Sequence, residues 1–115
     1  MKNKHILIAF AMLINVSVFA QAPQGIPYQA VARNSSGTVL ASTTISVRFT
    51  IRDSLATGAI KYRETHGVTT TPQGMFNVNV GQGTPLTGTF AGINWGNNPK
   101  FMQVEMDPAG GSSYI

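Results

Sequence analysis

Between Ile45 and Val80 the chain reads ISVRFTIRDSLATGAIKYRETHGVTTTPQGMFNVNV, and this stretch limits the fold more than any other. Ile45, Val47, Phe49 and Ile51 alternate strictly with Ser46, Arg48, Thr50 and Arg52. Period two marks a strand with one dry face and one wet face, and β-branched and aromatic residues suit such a half-buried surface. Asp53, Ser54, Thr57 and Gly58 close the run with residues that bend or satisfy a turn locally. A second strand starts near Ala59, with Ile60 and Tyr62 on one face and Lys61, Arg63 and Thr65 on the other. Glu64 and His66 fall in its apolar register, which reads as a strand nearing its edge. Thr69 to Gly74 is a turn, because Pro72 lacks a backbone donor and Gly74 tolerates positive φ. Phe76, Val78 and Val80 then alternate with Met75, Asn77 and Asn79. Successive period-two strands at such short spacing imply an antiparallel meander or sandwich.

The flanks extend this pattern. Tyr28 to Arg33 reads as a first strand and Thr38 to Ala41 as its brief partner, joined across Asn34–Gly37 as a hairpin. From Gly81 to Pro99 the residues Leu86, Phe90, Ile93 and Trp95 follow no strand period. They imply a loop folded over one end of the sandwich, with a helical turn around Phe90 to Ile93. Lys100 to Met106 resumes the alternation, with Met102, Val104 and Met106 on one face. Asp107 to Gly111 is a turn, after which Ser112 to Ile115 begins a further strand. The expectation is an all-β, antiparallel β-sandwich, immunoglobulin-like or prealbumin-like, of about seven strands. Its last strand reads as truncated, which leaves the domain incomplete at its C-terminus and its sheet edge open.

Lys2 and Lys4, the apolar run Ile6 to Ile14 and the small-residue site Val18-Phe19-Ala20 read as a secretory signal peptide over residues 1–20. Asn15 and Ser17 interrupt the run, so no permanent membrane span is expected after cleavage. Residues 21–115 then form one small domain. The formal charge of +4 includes Lys2 and Lys4, and Arg33, Arg48, Arg52, Lys61, Arg63 and Lys100 are spread over several segments. That thin charge does not suggest a nucleic-acid partner. Arg48, Arg52, Lys61 and Arg63 could share a sheet face, and a solvated outer face is the ordinary reason for that pattern. The chain has no cysteine. Disulfide staples, a lipid-anchoring cysteine, thiol nucleophiles and cysteine metal sites are thereby excluded.

Glu64, His66, Glu105 and Asp107 are the candidates for acid–base or metal chemistry near the core strands. Glu64 and His66, two residues apart, share a strand face, but a metal site needs a third ligand and a hydrolase a second positioned group. The simpler reading is an edge histidine, with Glu64 paired to Arg63 or Lys61. Asp53 and Asp107 read as turn caps. Gly81-Gln82-Gly83-Thr84 has neither the lysine nor the following helix of a phosphate loop, so it reads as a turn. Tyr28, Tyr62, Trp95 and Phe101 could make an aromatic platform for a sugar, and only Trp95 stands in the long loop where that would be useful. Trp95, with Asn94, Asn97 and Asn98, is therefore the candidate ligand-contact set. No catalytic, cofactor or metal residue is assigned.

Several motifs together carry a family likeness: Gln24–Arg33 (QGIPYQAVAR), Glu64-Thr65-His66, Gly74-Met75-Phe76, Val80–Thr84 (VGQGT), Ile93-Asn94-Trp95 and Asp107–Tyr114 (DPAGGSSY). The sequence resembles the N-terminal module of a large group of secreted bacterial surface proteins, some tail-fibre-like, some collagen-like and some bearing sorting domains. The resemblance implies a β-sandwich that precedes variable regions, and it brings no catalytic residue. The expected role is a non-enzymatic, exported module of a cell-surface or extracellular protein, used for structural display, adhesion or assembly, with a glycan or another surface protein as possible partner and no cofactor. One alternative is a carbohydrate-binding module using the 81–99 loop and Trp95. Another is a fibre subunit completed by a donor strand.

Overall fold

The computed structural model describes residues 25–115; the leader expected over 1–20 and its cleavage point lie outside them. The elements run β1 (Ile26–Val31), β2 (Thr44–Asp53), β3 (Ile60–Thr69), β4 (Met75–Val80), β5 (Thr84–Thr87), a 3-10 turn (Phe90–Gly92) and β6 (Lys100–Asp107). They form two antiparallel sheets, one of β1 and β4 and one in the order β5-β3-β2-β6. The protein is thus all-β and sandwich-like, with six strands among the described residues.

β2 lies at the centre of the larger sheet, between β3 and β6. Its alternation delivers Ile45, Val47, Phe49 and Ile51 to the core, each at most 2% exposed. The smaller sheet covers them from above: Tyr28 of β1 meets Phe49 edge-to-face at 5.1 Å and lies 6.2 Å from Phe76 of β4. Phe76 and Val80 are buried and Asn77 and Asn79 exposed, as the sequence period requires. The 3-10 turn drops Phe90 onto Tyr62 at 5.6 Å, and Ile93 is buried beside it. The helical turn expected around Phe90 to Ile93 therefore forms and closes one end of the core.

The stretch from Ile45 to Val80 is not one meander within one sheet. β2 and β3 form a hairpin, but β4 leaves them and pairs with β1, with Tyr28 opposite Val78 and Ala30 opposite Phe76. The turn before β4 makes this crossing. Gly74 has φ of +81°, and a Cβ there would stand 3.0 Å from the Val39 Cβ and 3.1 Å from the Ala32 carbonyl oxygen. Glycine lets the two backbones approach closely enough for the Ala32 amide to donate to the Gly74 carbonyl.

The expected hairpin from Tyr28 to Ala41 reduces to a single bridge, Arg33 to Val39. Asn34 accounts for this, because its side-chain oxygen accepts from the amides of Ser36 and Thr38 and closes a tight local turn. The hydrogen-bonding edge of β1 goes instead to the longer apolar arm of β4. A strand that the sequence did not announce, β5, lies along β3, with Arg63 opposite Thr87 and Thr65 opposite Thr84. All its residues are exposed, so it shows no alternation, and Pro85 is tolerated because β5 is an edge. At the C-terminal end, Ile115 exchanges two backbone hydrogen bonds with Met106, and Ser112–Ile115 forms no strand.

Candidate functional site

Glu64 occupies the apolar register of β3 because it belongs to the core. It is 0% exposed, and β3 is an interior strand with β2 on one side and β5 on the other. The edge placement and the pairing with Arg63 or Lys61 are therefore corrected. Four donor-bearing groups converge on the two carboxylate oxygens. The Tyr62 hydroxyl and the Gly81 amide donate to Oε1, at 2.5 and 2.6 Å. The Gly83 amide donates to Oε2 at 3.2 Å, and the His66 Nε2 lies against the same oxygen. Burying a carboxylate is costly unless its lone pairs are satisfied, and this arrangement satisfies them.

The geometry explains the Gly81-Gln82-Gly83 turn. Successive backbone amides in a turn make an anion-binding concavity, and here the anion is the protein's own Glu64. Gly81 has φ of +109°, while a Cβ at Gly83 would stand 2.5 Å from the Thr65 carbonyl oxygen, 2.6 Å from His66 Nε2 and 2.8 Å from Glu64 Oε2. Both glycines are thus required, one for its backbone angle and one for space. His66 also packs edge-to-face on Phe49 at 5.6 Å. Burial, then the adjacent Glu64, pushes the Tyr62 phenol above its ordinary range. Sequence reasoning placed Glu64 and His66 on one face but missed their partners. The available signal was a carboxylate in core register followed by a Gly-x-Gly turn without a phosphate-binding lysine.

The other acidic residues are also engaged. Glu105 takes a two-pronged hydrogen bond from Arg48, Nε to Oε1 at 3.0 Å and Nη2 to Oε2 at 2.9 Å, and this holds its carboxyl below the usual range. Asp107 accepts from the amides of Ala109 and Ser113 at 2.9 and 3.0 Å, so it closes its turn as expected, and those amides lower its pKa. Asp53 does not cap a turn. Its Oδ1 lies 3.0 Å from the Lys100 ammonium, which lowers the Asp53 pKa, and the same ammonium donates to the Asn97 side chain at 2.9 Å and the Asn98 carbonyl at 3.0 Å.

That lysine engages part of the expected ligand-contact set. Lys100 donates to the Asn97 side chain and to the Asn98 backbone carbonyl, and the Asn98 side-chain amide reaches Asp53 at 3.4 Å, while both asparagines stay exposed. The Asn94 side chain accepts from the Gly96 amide, shaping its own turn. Trp95 packs on Phe90 at 5.6 Å and is 39% exposed. Asn94 and Asn97 line a depression of about 180 Å³ with Asp53, Lys61, Ile93 and Lys100, and Trp95 does not. The four candidates share a loop but do not converge on one surface. Nor do the aromatic residues form a platform, since Tyr28 and Tyr62 point into the core. Among the described residues, no three His, Asp or Glu side chains gather as metal ligands, and no helix is long and apolar enough to cross a membrane.

Fold and cluster together define an all-β, sandwich-like domain whose core is latched by a buried carboxylate. A family model described as a domain of unknown function, DUF8740, matches residues 27–114, and the chain belongs to that family. Comparisons with curated proteins and with solved structures give no match.

Replacing Glu64 by Gln puts an amide NH₂ among four donor-bearing groups. The expected loss is about 1.5–3 kcal/mol of unfolding free energy, measured by urea denaturation; Gly83→Ala is expected to destabilise in the same assay, through the clash at Thr65. Acid is expected to destabilise the fold. Asp53, Glu105 and Asp107 have lowered values in the folded chain, so it binds fewer protons than the unfolded chain as pH falls. The stability they contribute is present above the ordinary carboxylate range, roughly pH 4, and is lost as pH falls through the depressed values. Thermal melts from about pH 6 to about pH 3 should show this decline, and Asp107→Asn should flatten it.

Proposed function

We propose that the chain is a non-catalytic, exported β-sandwich module of a cell-surface or extracellular protein, serving structural display, adhesion or assembly. The observation that carries this reading is the engagement of Glu64. The most deeply buried carboxylate already accepts from the fold on both oxygens, so it acts as a latch and faces no substrate. Export is supported by the leader pattern over residues 1–20 and by the resemblance to secreted surface proteins.

A second reading, assembly by strand addition, is favoured at β6. This strand has β2 on one side only, and its core-register residues Met102 and Val104 are 39% and 37% exposed. The reciprocal hydrogen bonds of Met106 and Ile115 lie on the other side of β6 and support this reading. An extended partner segment that continued this register would add ladder hydrogen bonds and cover Met102 and Val104.

The module reading is tested by expressing the gene in a bacterium with an intact secretory route. The exported protein is expected to begin at Gln21 by intact mass and to turn over none of a panel of glycoside, ester and peptide substrates. Retention in the cell with the leader uncleaved, or turnover that follows the folded protein through purification, would overturn it.

A further inference from the structure

The outer face of the four-stranded sheet gathers the cations that the sequence leaves scattered. On β2, Arg48, Thr50 and Arg52 point away from the core, and their partners on β3 and β6 include Thr65, Arg63, Glu105 and Gln103. Thr50 is 0% exposed although it lies on this outer face. Arg63 covers it, donating from Nε to its hydroxyl at 2.9 Å. Arg52 donates to Gln103 at 3.0 Å and to the Gly58 carbonyl at 2.9 Å. Arg48 is held by Glu105, and its guanidinium lies 4.5 Å from the centre of the Tyr114 ring. Each guanidinium is thus fixed by at least one bond. No acceptor among the described residues meets either terminal nitrogen of Arg63 or Nη2 of Arg52.

The charge on this face is one-sided. The chain has four acidic residues. Glu64 is in the core, Asp53 is on Lys100 and Asp107 is in its turn. Glu105 alone stands against Arg48, Arg52 and Arg63. Strand spacing and rise place the Arg63 Cα roughly 8 Å from those of Arg48 and Arg52, so the three guanidinium groups form a broad triangle on a flat surface.

We propose that this face binds a linear acidic polysaccharide laid across β6, β2 and β3. Pre-positioned arginine forks match carboxylate and sulfate groups, and guanidinium is weakly hydrated, so its transfer to such a group costs little. Thr65 and Gln103, between the arginines, offer hydrogen bonds to sugar hydroxyls. Nucleic acid fits less well, because Phe101, 40% exposed, is the one exposed large aromatic residue on this sheet face and gives no series of stacking platforms. The choice of polysaccharide also rests on the surface-module reading.

The test is titration of the purified protein with polygalacturonate across a range of salt, with neutral dextran and single-stranded DNA in parallel. Polygalacturonate is expected to bind at low salt and to weaken as salt rises, while dextran does not bind. Arg52→Gln with Arg63→Gln is expected to weaken binding at least about tenfold, and Arg33→Gln, at a residue whose guanidinium bonds the Gly37 carbonyl locally, to leave it unchanged. Because Arg63 covers Thr50, the pair Arg48→Gln with Arg52→Gln provides a second variant, and a thermal melt confirms that each is folded. Absence of polygalacturonate binding at low salt, equal binding by folded variants, or tighter binding of DNA would overturn the proposal. The surface-module reading would survive that failure, since it is decided by the mass of the exported protein and by substrate turnover.

Discussion

The two-sheet arrangement depends on one buried carboxylate. The chain changes sheet between β3 and β4 and returns between β4 and β5. The return is made through Gly81-Gln82-Gly83, whose glycine amides both donate to Glu64 on β3. A carboxylate removed from water is a liability of several kcal/mol unless its lone pairs are filled. Here filling them and fixing the corner are the same act. With the corner fixed, Val80 ends β4 inside the core and Thr84 begins β5 on the edge of the other sheet, three residues of turn apart.

The same economy appears wherever the chain needs a tie. A domain this small often draws on disulfides for its stability, and this chain has no cysteine. Each of its four acidic residues closes a loop or joins two elements instead. Glu64 joins β3 to the β4–β5 turn, and Glu105 joins β6 to β2 through Arg48. Asp53 joins the end of β2 to the start of β6 through Lys100, and Asp107 closes the turn after β6. Once the acids are used this way, the outer sheet face is left with unbalanced arginines. The electrostatic surface offered to a partner follows from how the fold is held.

The strands with one dry face were legible because period two reports burial directly. Ile45 to Ile51 and Phe76 to Val80 lie where their alternation puts them. Sheet membership was not legible, since the pairing of β4 with β1 joins residues far apart in sequence, and no local signal separates it from a hairpin with β3. β5 escaped notice because a fully exposed edge strand carries no alternation. Glu64 and His66 were seen to break the apolar pattern, but polar residues in core register suggested an edge. The partners that make them core residues lie in a glycine turn whose role appears only when the strands are assembled. Asn97 and Asn98 looked available for a ligand because nothing local shows that the Asn97 side chain meets Lys100 or that the Asn98 side chain reaches Asp53 on β2, far away in sequence.

The central claim is that Glu64 holds the amides of Gly81 and Gly83. Amide hydrogen exchange in the native protein, resolved by NMR, measures those two protons individually. The account requires both to exchange far more slowly than the unpartnered turn amide of Ser35, and to lose that protection in the folded Glu64→Gln protein while amides of β2 keep theirs. Exchange of Gly81 and Gly83 at the rate of an open turn, or protection that Glu64→Gln leaves intact, would contradict it.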